Sequence, residues 1–266
     1  MDECYKLLGI QPDASVSEIK TAFRRKAKLL HPDLSKENSA DTKAFQKILK
    51  AYQTLISLRN SSLFEEQFRS RYSRGSKSEE SFDYRRWLME RTDEESRCKL
   101  VFFDLMHGNE DDAVAEYKRL SVSRADFSLS RWFTREDFMD YGFILTEELI
   151  FREEYYDAYL LLAKIIRMEY SYAYFRHFFP EVMDLMRSLV RTKLPGKVSD
   201  ELLLDALEDA LDLGFAKKDE AYILRLMAES YDRLGDTSTA ELCLRKALQM
   251  DSTLSVPARF RHRYSF

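Results

Sequence analysis

Ile19, Phe23, Ala27 and Leu30 recur every three or four positions and mark the apolar face of an amphipathic helix. Lys20, Arg24 and Lys28 stand four apart on another face, with Arg25 and Lys26 beside them. Just upstream, Ser15 and Glu18 form an S-x-x-E capping box, which predicts a helix start near Val16. Pro32 cannot continue a helix and pushes His31 towards extended geometry. The helix is therefore expected to end near Leu30, leaving His31 and Asp33 on an exposed turn. Phe45, Ile48, Leu49, Tyr52 and Leu55 repeat the helical spacing and predict a further helix able to pack antiparallel to the first. Ahead of both, Tyr5 to Ile10 reads as a short helix reversed at Gly9.

From about residue 82 to residue 258 the pattern is helical throughout. With seven Gly, five Pro and few β-branched runs, the chain predicts an all-α architecture. Between Arg59 and Glu80 it is rich in Ser, Arg and Glu and poor in apolar residues, the composition of a flexible linker over 59–81. The resulting division is 1–58, 59–81, 82–258 and a tail over 259–266. That tail is basic and aromatic, and is expected to fray.

Charge and cysteine content narrow the function classes. Residues 1–58 carry ten Lys or Arg and seven Asp or Glu, a net +3, which leaves −7 for the remainder of a −4 chain. Nucleic-acid binding is not favoured by that balance, whereas a basic docking module on an acidic body is. Like charges at i and i+4 destabilise an isolated helix by roughly 0.2–0.5 kcal/mol per pair, a cost that an acidic partner would offset. Cys4, Cys98 and Cys243 are odd in number and far apart, which suggests neither a disulfide framework nor a zinc site and points to the cytoplasm. The longest apolar stretch, around Tyr159 to Ile166, is too short to span a bilayer, so no membrane insertion is expected. No phosphate-binding loop, serine elbow or H-E-x-x-H motif occurs. His107, His177 and His262 stand alone, and no catalytic, cofactor or metal site is expected.

Taken with the YKLLGI segment, Glu18-Ile19-Lys20, Ala22-Phe23-Arg24, His31-Pro32-Asp33, Phe45 and Ala51-Tyr52 resemble the J-domain of the DnaJ co-chaperones. The resemblance covers residues 2 to about 58. It implies a helical hairpin that docks on a DnaK-type heat-shock chaperone and stimulates its ATPase, with His31, Pro32 and Asp33 indispensable. It also implies that Lys20, Arg24, Arg25 and Lys28 supply the docking charge and that the chain performs no chemistry itself. The Gly/Phe-rich segment and paired Cys repeats of many DnaJ proteins are lacking, so the chain is similar to the divergent class C type. Whether a fourth J-domain helix follows Leu55 is left open by the sequence.

Near the other end, Leu224, Met227, Ala228, Tyr231, Ala240, Leu244 and Ala247 resemble a tetratricopeptide repeat, with Gly235 ending one helix and Asp236 capping the next. Gly108, Ala113 and Tyr117 repeat part of that spacing, as do Leu145, Leu149, Ala158 and Leu162. A degenerate tetratricopeptide-like array is expected, curved into one domain that binds a protein or peptide client. Arg225 is a candidate cation for capturing an acidic tail, but Glu229 stands where such a clamp wants Asn, which argues against it. Of the aromatic run from Tyr155 to Phe179, most members are expected in the core and Tyr172 and Tyr174 outside it. The competing reading is a helical-repeat scaffold whose J-domain is a vestigial binding module.

Overall fold

The computed structural model describes residues 2–29, residues 47–58 apart from 49, 53 and 57, and residues 83–123 and 127–264. Every regular element among them is helical. The linker expected over 59–81 lies outside the described residues. So does the His31-Pro32-Asp33 turn.

Helix α1 spans Asp2–Leu8 and closes on Gly9, whose φ of 73° lets the Gly9 and Ile10 N–H groups both reach the Tyr5 carbonyl, at 2.8 and 3.0 Å. Helix α2, Val16–Leu29, opens with the capping box formed in both directions. The Ser15 N–H donates to Glu18 Oε2 at 2.7 Å and the Glu18 N–H donates to Ser15 Oγ at 3.2 Å. A third helix, α3, is described between 47 and 58. The apolar stripes meet as their spacing predicts. Leu8, Ala14, Ile19, Ala22, Ile48, Ala51, Leu55 and Ile56 are all buried, and Phe23 stacks on Tyr52 with centroids 4.4 Å apart.

Helix α4, Tyr84–Met89, is capped by Asp83, and α5, Glu94–Met106, by Asp93. Helix α6, Glu110–Ser123, returns along α5, and a 3-10 turn at Leu129–Trp132 precedes α7, Arg135–Phe151. Charge pins α5 to α6: Glu116 accepts from Arg97 Nε at 2.7 Å and from Arg119 Nη2 at 2.6 Å. Arg85 bridges Asp104 and Asp112 at 2.6 and 2.7 Å. The acidic run Glu110-Asp111-Asp112 sits in the first turn of α6, where the helix dipole favours it.

Beyond α7 lie α8, Tyr155–Ser171; α9, Phe179–Ser188, running into a π-turn at Leu189–Lys193; and α10, Asp200–Ala210. Helix α11, Lys217–Arg233, and α12, Thr237–Met250, form the tightest helix pair among the described residues. Ala228 and Ala240 are fully buried between them beside Leu244. Gly235 turns the chain at φ 88°, and Asp236 Oδ1 accepts from the Thr239 N–H at 3.0 Å. That is the hairpin the spacing predicted.

One expectation is corrected. The C-terminal segment does not fray: Ala258–Tyr264 is a helix, α13, whose Phe260 is fully buried against Ala228, Ala240, Leu244 and Val256, while Arg263 pairs with Asp232. One ring inserted between helices outweighs the solubility of the four basic residues around it. The chain divides into two compact units, 1–144 and 145–266, at a point within α7. The first unit unites the N-terminal helices with α4 to α6. Tyr155, Tyr159, Phe175 and Phe178 are interior, as expected for most of the aromatic run. Tyr170 and Tyr172 are exposed and Tyr174 is half-buried.

Candidate J-domain docking face

Helix α2 is the element that positions the expected docking cations, and its packed stripe fixes which way they face. With Ile19 and Ala22 buried and Phe23 stacked on Tyr52, the helix cannot rotate without opening that core. Arg25 is then exposed. The side chains of Arg24 and Lys28 lie outside the described residues, as do His31, Pro32 and Asp33.

Lys20 occupies a different setting from the one its position in the basic stripe implied. It is 5% exposed. Its Nζ donates to the Leu105 carbonyl at 3.2 Å and lies 3.9 Å from Glu110 Oε1. Leu105 belongs to the last turn of α5, where carbonyls lack an intrahelical donor, and Glu110 opens α6. An ammonium at the carboxyl end of a helix is favoured by both the open carbonyls and the dipole, and the nearby carboxylate helps to balance its charge in a buried place. Lys26 makes a second contact of this kind, donating to the Leu7 carbonyl at the end of α1 at 2.6 Å. Two cations of the basic run thus close helix ends within the same unit.

The other candidate binding cation is also engaged. Arg225 pairs with Glu229 at 3.4 Å, donates to the Ser255 carbonyl at 3.4 Å and stacks on the Tyr222 ring at 4.4 Å, a ring that Arg191 also approaches at 4.0 Å. Its guanidinium is built into the helix surface. Close by, a cavity of about 340 Å³ is lined by Pro195, Val198, Leu203 and Leu226, with Glu229 and the Arg233–Asp200 pair at its polar edge. Among the described residues no group of three or more His, Cys, Asp or Glu is placed to hold a metal, and no helix is long and apolar enough to cross a membrane.

A short first helix, a basic second helix ending near His-Pro-Asp and a third helix packed against it define a J-type module. Residues 3–64 match the family model of the DnaJ domain, so this chain carries a J-domain at its N-terminal end. Among curated proteins it is similar to the chaperone protein DnaJ of Staphylococcus aureus strains JH1, Mu3 / ATCC 700698 and USA300 / TCH1516. Each is 51% identical over 51 residues, which is 19% of this chain and 13% of the relative. The likeness therefore spans only a small part of either protein. No solved structure matches the chain.

Proposed function

We propose that the chain is a co-chaperone that docks on a DnaK-type ATPase through its J-domain and accelerates ATP hydrolysis, while its helical body binds a client or sets a location. The observation that carries this reading is an intact His31-Pro32-Asp33 inside the matched segment 3–64. Docking charge comes from Arg24, Arg25 and Lys28 on α2, with Lys20 beside them. The physical basis is differential binding: a partner that favours the hydrolysis-competent conformation raises its population and contributes no catalytic group. The chain itself is then not an enzyme and needs no cofactor. The tightly packed α11–α12 hairpin supports a tetratricopeptide-like module over 82–258, joined to the J-domain over 1–58 by a linker. Three free thiols fit a reducing compartment, hence the cytoplasm.

The test is single-turnover hydrolysis of ATP by a DnaK-type chaperone alone, with this protein, and with its His31→Gln variant. Stimulation that vanishes in the variant is the expected result. No stimulation by either form would favour the scaffold reading, in which the J-domain only binds.

A further inference from the structure

Lys20 is the one described residue at which the proposed docking face and the helical body compete for the same group. Its ammonium sits in a basic stripe expected to meet an acidic partner, yet it is 5% exposed and held by the Leu105 carbonyl and Glu110. Those partners flank the turn between α5 and α6, Leu105 at the end of the one helix and Glu110 at the start of the other, and both belong to the compact unit that contains α2. An amine that satisfies a helix-end carbonyl and stands beside a carboxylate cannot also reach a partner's acidic group, because the contact leaves it almost no open surface.

We infer that the α5–α6 turn is an internal latch on the J-domain, sequestering Lys20 so that full docking requires the latch to open. The inference rests on the co-chaperone reading for its consequence but not for its geometry. The competing contact lowers apparent affinity by the fraction of molecules in the open form, and a ligand that favours the open form raises activity with no change at the docking face itself. Anything that pulls on α5 or α6, such as a client on the body, can act in this way. The ion-pair side of the latch is weak enough to open, because Lys20 Nζ and Glu110 Oε1 stand 3.9 Å apart and the Glu110 side chain is still 31% exposed.

The experiment uses the full chain, its Glu110→Lys variant, which sets a cation against Lys20, and Asp111→Lys, which makes the same charge change at an exposed neighbour. The first readout is labelling of Lys20 by an amine-reactive ester, followed by mass spectrometry and referenced to the exposed Lys6. In the wild type Lys20 should label at least about tenfold more slowly than Lys6, and Glu110→Lys should remove most of that protection while Asp111→Lys keeps it. The second readout is the concentration of protein giving half-maximal stimulation of the DnaK-type ATPase. It should fall severalfold in Glu110→Lys alone. Equal labelling of Lys20 and Lys6 in the wild type overturns the latch, and so does an equal gain from both variants, which would mark a general charge effect. A protected Lys20 released by Glu110→Lys, with no stimulation by any form, instead keeps the latch and removes the co-chaperone reading.

Discussion

Glu116 is the residue on which the α5–α6 pairing leans most. Burial alone would raise its carboxyl, but hydrogen bonds from Arg119 and Arg97, together with their charges, outweigh that and bring it from 4.5 down to about 2. A group whose folded pKa is depressed stabilises the fold fully above its unfolded value and loses that contribution as pH falls through the folded value. The first unit should therefore weaken between about pH 4.5 and 2. In Glu116→Gln that part of the acid limb should flatten, and neutral-pH stability should drop by about 2 kcal/mol, since Arg97 keeps its place without its charge partner. Urea unfolding as a function of pH checks both statements. The Cys98 thiol nearby is pushed up to about 12, chiefly by burial and then by the charges of Glu94, Glu116 and Glu95, so it should resist alkylation in the native state.

At the scale of elements, what the sequence made legible was local. The Ser15–Glu18 box and the Gly235–Asp236 turn each involve partners within four residues of one another, and both formed as read. Lys20 was not legible as an internal contact, because its acceptor lies 85 residues away and a stripe of cations at helical spacing looks the same whether it faces solvent or a helix end. The C-terminal helix escaped for a related reason. Its composition is that of a frayed tail, and only the Ala228–Ala240 approach, which leaves room for a ring beside it, reveals why Phe260 is held. Phe260→Ala should open a void at the end of the α11–α12 hairpin and cost the second unit about 3 kcal/mol. Amide hydrogen exchange should then show lost protection in α11 and α12 with α5 and α6 unchanged. Loss in all four helices would mean that the two units do not respond separately.

Across the whole chain, charge is arranged so that salt acts differently on docking and on the latch. Residues 1–58 carry +3 and the remainder −7, so a basic module meets any acidic partner through surface charges exposed to counterions. The Debye length shrinks from roughly 14 Å at 0.05 M to about 6 Å at 0.3 M, which would remove most of the long-range attraction and slow the proposed association with a DnaK-type ATPase. Lys20 is shielded from that effect: its side chain is 7% exposed and its contact with Leu105 is a direct hydrogen bond of 3.2 Å rather than an attraction at a distance. Raising salt over this range should weaken half-maximal stimulation severalfold while the labelling of Lys20 relative to Lys6 stays within about twofold. If Lys20 labelling instead climbs as salt rises, Glu110 and not the carbonyl holds the amine, and the latch would be set by the ionic strength of the cell rather than by whatever moves α5 and α6.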